Sequence, residues 1–205
     1  MVNSACCSQL GVFLKRMLPV LCLPLGACAG GQPTAATVQL DMPHKVQLLT
    51  GDSKALNYTP WYIHAFALFG PSGSGIGGEG ANVVPVKADG RPSTGGGKCC
   101  TSLPAEWQPD LKLTVRWLVD KRQDGKTPGY WYKAENVRIA PYRSGNTGDV
   151  WAIFLPGDRV RVMRTDGNRD GGNNPNIRPV DSDPYIAQGV IDEEWNRRYR
   201  KGGMQ

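Results

Sequence analysis

The stretch LKLTVRWLVDK, residues 111–121, decides the fold. Leu111, Leu113, Val115, Trp117 and Val119 fall on one side of an extended chain; Lys112, Thr114, Arg116 and Asp120 fall on the other. That period of two predicts a strand with one face in a core and one in water. C-terminal to it, Asp124 and Gly125 carry a turn signal, and residues 130–134 and 136–139 continue the sheet. Residues 150–155 and 159–163, joined by Pro156, Gly157 and Asp158, read as a hairpin. N-terminal to it, residues 61–69 are rich in aromatic side chains and stop at Gly70 and Pro71, as expected of a strand buried on both faces. Residues 82–87 read as a short strand that Pro85 places at an edge. Val38, Leu40 and Met42 also alternate. Only residues 192–201 look helical, with acids in the first turn, bases in the last and Gly202 and Gly203 as a stop. Ile191, Trp195 and Tyr199 recur every four residues on one face of that helix. The expected fold is mainly β: an antiparallel sheet, sandwich-like, in a single domain over residues 38–205 with a short C-terminal α-helix.

The first residues belong to a different kind of segment. Lys15 and Arg16 precede the apolar run 17–25, which is too short to span a bilayer. Leu25, Gly26, Ala27 and Cys28 follow, and the whole resembles a bacterial lipoprotein signal. The expectation is a signal peptide over 1–27, lipidation at Cys28 and a small, polar tether over 28–37. Ala29 after the lipidated cysteine implies, by the same resemblance, a periplasm-facing lipoprotein of the outer membrane, held there by its acyl chains. Cleavage removes Cys6, Cys7 and Cys22, so only Cys99 and Cys100 keep free sulfur chemistry in an oxidising compartment.

Charge argues against nucleic acid as a partner. The chain has 24 basic and 18 acidic residues, and the leader takes two of the bases with it. The remaining excess is mild and dispersed.

Motifs of chemistry fail on context. Residues 73–78 match G-x-G-x-x-G by letter, but a strand rather than a helix follows, so they read as a flexible inter-strand loop. Asp166, Asn168 and Asp170 match the first half of a calcium loop. The twelfth position, where a bidentate glutamate belongs, is Ile177. No metal and no cofactor is expected, calcium at those three residues standing as the alternative. No G-x-S-x-G elbow occurs. His44 lies in a polar stretch and His64 in mid-strand, where no motif makes either a base for Cys99 or Cys100. A binding protein rather than an enzyme is expected.

In TGGGKCCTSLP, residues 94–104, two readings of the cysteine pair stay open. One is a vicinal disulfide. The other is two thiols on opposite faces of a strand, at least one of them buried. In both the role is structural, and the glycines supply backbone freedom for a tight bend.

"NYTPWYIHAFALFG" from residue 57, together with "GGGKCCTSLPAEWQPDLKLTVRW" from residue 95, resembles a family of small proteobacterial lipoproteins with a domain of unknown function. The likeness covers residues 57–119. Such proteins sit beside type VI secretion effectors, phospholipases especially. The resemblance therefore implies an immunity protein that binds a lipase-class toxin in the periplasm and blocks it. The alternative is a structural or assembly lipoprotein of the envelope or secretion apparatus. Tight inhibition needs a few aromatic and arginine anchors. Candidates expected outside the core are Trp131, Tyr132, Tyr142, Arg143, Arg164 and Arg169.

Overall fold

Alternation at residues 111–121 produces the strand it predicts, buried on one side along its whole length. The computed structural model describes residues 46–126, 129–165 and 173–199, all within the unit Pro43–Gln205. The leader, Cys28, the tether, residues 38–42, His44, Asp166, Asn168, Arg169 and Asp170 lie outside the described residues.

In chain order the elements are β1 (Leu48–Asn57), β2 (Tyr62–Phe69), β3 (Gly77–Gly80), β4 (Ser93–Pro104), β5 (Lys112–Asp120), β6 (Tyr130–Arg138), β7 (Val150–Leu155), β8 (Arg159–Arg164), β9 (Ile186–Gln188), β10 (Val190–Ile191) and α1 (Glu193–Tyr199). The strands form one sheet in the order β10-β6-β5-β2-β3-β4-β1-β7-β8-β9. Pairing is antiparallel throughout except between β1 and β7, which run parallel.

The two ends of that sheet meet through one piece of chain. β9 and β10 are a single extended run interrupted at Gly189; the first half pairs with β8 and the second with β6. A parallel bridge between Ile139 and Val162 joins the same two strands. The run is a wedge between β8 and β6, and it nearly closes the sheet into a barrel. Gly189 N–H donates to the Asp158 carbonyl at 2.7 Å. A Cβ at 189 would overlap the Trp117 ring and stand 2.6 Å from the Asp158 carbonyl oxygen.

The interior is packed solid with rings. Phe154 lies 5.6 Å from Phe66 and 5.7 Å from Trp117, which stacks on Tyr132 at 5.9 Å. Leu113, Val115, Val119, Val160 and Val162 fill the space around them. A smaller apolar cluster lies on the outside of the barrel: Leu56, Tyr58, Trp151, Ile153, Leu155 and Met163, with Ile186 packed against it. This explains the unbroken apolar sequence of β7, which is buried on both faces.

Several expectations change. Residues 61–69 form β2, but His64 and Phe69 are exposed, so only one face is fully buried. Residues 82–87 are not a strand; Val83 alone bridges to Ile63. The glycine loop 73–78 runs into β3, which sits mid-sheet between β2 and β4. Residues 130–138 make one strand, with Ile139 bridging just beyond it and an irregularity where Asn136 takes a positive φ of 57°. The described helix is Glu193–Tyr199, capped by Asp192, whose Oδ1 accepts Trp195 N–H at 3.1 Å. Ile191 belongs to β10 rather than to a helical face.

Gly189→Ala is expected to cost about 1–3 kcal/mol, the usual range for forcing atoms into a packed site. The midpoint of urea unfolding would show it. An unchanged midpoint would mean that the wedge is not pinned by Trp117 and Asp158.

Candidate functional site

β4 is a strand despite its glycines, and it carries the cysteine pair on a bulge. Gly51 pairs with Thr101 and Ser53 with Lys98, so Cys99 and Cys100 together face Asp52. Their sulfurs are joined in a vicinal disulfide across a cis peptide, and both residues are exposed. The reading with a buried thiol is therefore corrected. Neither sulfur is a free nucleophile. Lys98 and Glu79 form an exposed ion pair at 2.6 Å beside them. Below the bulge, the buried hydroxyls of Ser53 and Thr101 are hydrogen-bonded. A Cβ at Gly78 would strike Thr101, and one at Gly80 would strike the Phe66 ring. Gly78 and Gly80 thus reflect close approach of strands, whereas Gly73 and Gly75 take positive φ in the loop before them.

Four of the expected anchors are inside the protein. Tyr132 points into the barrel. Trp131 points outward but lies under α1, where Asn196 bonds its backbone in both directions at 2.9 Å. The buried Tyr142 hydroxyl donates to the Pro104 carbonyl at 2.8 Å. Arg164 has 0% exposure. Its Nη2 donates to the Leu49 carbonyl at 2.7 Å and its Nε to that of Gly148 at 3.2 Å. The guanidinium stands 5.6 Å over the Tyr142 ring, and its buried Nη1 has no partner. Burial lowers the pKa of Arg164 from its ordinary value and raises that of Tyr142. Arg143 is exposed.

Two surfaces that the sequence did not single out remain. The first is a stack where α1 meets the sheet. Trp195 lies 5.8 Å from Phe69, 4.8 Å from Trp131 and 4.9 Å from Tyr199. The Arg116 guanidinium sits over Trp195 at 4.8 Å and bonds Asp192 Oδ2 at 2.7 Å. Its sequence signals were the four-residue spacing of Trp195 and Tyr199 and the placement of Arg116 on the wet face of β5. The second is the loop 173–185, tied to β8 by Arg159–Asp181 at 2.9 Å and Arg161–Asp183 at 2.8 Å. Ile177 and Val180 project from it.

His64 is exposed and sits edge-on to Tyr62 at 4.6 Å. Among the described residues, no group of three His, Cys, Asp or Glu is placed to hold a metal ion. A pocket of about 620 Å³ opens where β1 begins, between Leu49, Ala105, Glu106 and Gly145. Leu49, whose carbonyl receives Arg164, is one of its lining residues.

The fold and these surfaces define a packed, nearly closed β-barrel. The chain belongs to the DUF3304 family, described as proteins of unknown function, which matches it over residues 56–162. No curated protein and no solved structure matches it. Several residues behind the sequence resemblance serve as scaffold. Asn57 accepts Thr59 N–H at 2.9 Å and donates to the Trp61 and Val84 carbonyls at 2.8 and 3.0 Å, fixing the turn from β1 to β2. Trp107 Nε1 donates to Ile139 at 2.9 Å.

Two outcomes follow. With their sulfurs joined, Cys99 and Cys100 of the folded protein should take up no alkylating reagent before reduction, as read by peptide mapping. After a mild dithiol it should label at both sulfurs without denaturant. Labelling at either of these two positions before reduction would contradict the disulfide. Burial also raises the pKa of Tyr58 as well as Tyr142. A raised folded pKa means that the folded state holds its proton longer. The associated stability is complete below the ordinary phenol value, about pH 10, and is lost as pH rises through the folded pKa. Stability against urea should therefore fall in that alkaline window, and less steeply in Tyr142→Phe.

Proposed function

We propose that this protein is a lipid-anchored, periplasm-facing immunity protein that neutralises a (phospho)lipase effector of type VI secretion by binding it. The observation that carries the reading is the filled barrel. Phe66, Trp117, Tyr132 and Phe154 occupy the interior, so the molecule acts from its outer surface rather than by holding a small ligand in its centre. A rigid, nearly closed scaffold suits inhibition, because little order has to be gained on binding. Lipidation at Cys28, expected from the lipobox-like stretch Leu25 to Cys28, would hold such a surface at a membrane, where a lipase attacks.

The full-length protein, titrated against each lipase-type effector encoded in the same genome, is expected to abolish phospholipid hydrolysis by one of them at near-stoichiometric ratio. Hydrolysis that continues in every case, alongside stable capture of a resident envelope protein, would replace this reading with an assembly role.

A further inference from the structure

We infer that Cys99 and Cys100 form a thiol–disulfide exchange site for a dithiol, and that their bond clips the seam between β3 and β4, which reduction opens and reoxidation closes. This property belongs to the barrel wall and does not depend on which partner the protein binds. The pair sits where β4 is held least by its ladders. Against β1, β4 changes register on both sides of Ser53, and the two cysteines stand opposite the single residue Asp52. Against β3, β4 has one registered pair, Gly77 with Ser102. The outer tie across that seam is the Lys98–Glu79 ion pair at 2.6 Å, and an exposed pair of this kind contributes little.

The disulfide dictates which way the side chains leave the strand. Neighbouring side chains of a strand ordinarily point to opposite faces. Joined sulfurs keep Cys99 and Cys100 together instead, and both are exposed. Without the bond, regular alternation turns one thiol inward, and that side is closed. The buried hydroxyls of Ser53 and Thr101 are hydrogen-bonded there, both residues at 0% exposure. Gly78 of β3 lies so close that a Cβ on it would stand 2.7 Å from Thr101 Cα. A thiol turned inward therefore displaces a neighbouring strand. β1 is paired with β4 at eight positions and β3 at one, so β3 is the strand that gives way.

Exposure lets a thiolate of the reductant reach either sulfur without unfolding. It attacks one sulfur, the bond between Cys99 and Cys100 breaks, and the other sulfur leaves as a thiolate that takes up a proton. The second thiol of the reductant then resolves the mixed disulfide. Two electrons and two protons pass to the pair, and the dithiol departs as a disulfide.

The test is amide hydrogen exchange on the full-length protein before reduction, after dithiothreitol and after reoxidation with glutathione disulfide, the redox state being read by mass. The expected result is exchange about tenfold faster in β3 and in residues 98–102 of the reduced protein, with β7 and β8 unchanged. Reoxidation should restore the original rates. The double variant Cys99→Ser with Cys100→Ser should exchange like the reduced protein and ignore dithiothreitol. Full reduction with no change at the seam overturns the clip, as does a double variant that exchanges like the oxidised protein. Acceleration spread over all the strands would make the bond a brace of the whole barrel and also overturn it. A pair that dithiothreitol fails to reduce in the folded protein overturns the exchange site itself.

Discussion

The structure depends on a short run of chain wedged between two strands. Without Ile186 to Ile191, β6 and β8 would be the free edges of a long sheet, each exposing unpaired backbone donors and acceptors. The run satisfies β8 with its first half and β6 with its second, crossing at Gly189. That crossing is tied to the interior. Trp117 stacks on Tyr132, packs against Phe154 and fills the space a side chain at 189 would need. Ring packing within and strand closure at the wall are therefore one constraint.

Closure also sets what happens outside. The parallel pairing of β1 with β7 leaves an apolar outer face at Leu56, Trp151, Ile153 and Met163. Contacts from the following segment, Arg178 on Tyr58 and Asp183 on Arg161, lie over that region before Ile186 begins the wedge. On β5 the outer face is polar, and α1 covers its neighbour Trp131 instead. The chain after β8 thus covers one face, shuts the barrel and caps another, in sequence order. Arg164 lies where β8 ends, its guanidinium spent on the carbonyls of Leu49 and Gly148, which draws the start of β1 to the end of β8. An unpartnered buried Nη1 is the cost of placing a cation there.

What the sequence revealed was local. β5 and the β7–β8 hairpin were legible because alternation, or an apolar run ended by Pro156 and Gly157, needs no knowledge of distant residues. β4 was not legible, since glycine weakens strand propensity. The neighbouring glycines 78 and 80 answer to Thr101 and Phe66, side chains contributed by other strands. β9 and β10 are too short to show a period; their partners define them. Four of the expected anchors, Trp131, Tyr132, Tyr142 and Arg164, are buried for a related reason. An outward aromatic residue is exposed only if nothing roofs it, and the roof over Trp131 comes from Asn196, 65 residues away in sequence. Arg164 misled in the same way: its acceptors lie at positions 49 and 148. Ile177 and Val180 stood in plain view, but no period marks them, and the ion pairs Arg159–Asp181 and Arg161–Asp183 beside them are long-range.

Residues that hold the barrel together fall within the stretch matched to the family. Asn57 fixes a turn, Trp107 ties a loop to Ile139, Trp117 organises the interior and Cys99 and Cys100 stiffen a bulge. Each lies within residues 56–162, and each is explained by what it does for the barrel. A residue so employed has little freedom to change, because altering it costs stability first. Adaptation is cheap only where side chains do no packing and the backbone is held by other residues. Ile177 and Val180 meet both conditions, with Asp181, Asp183 and the flanking turns doing the holding.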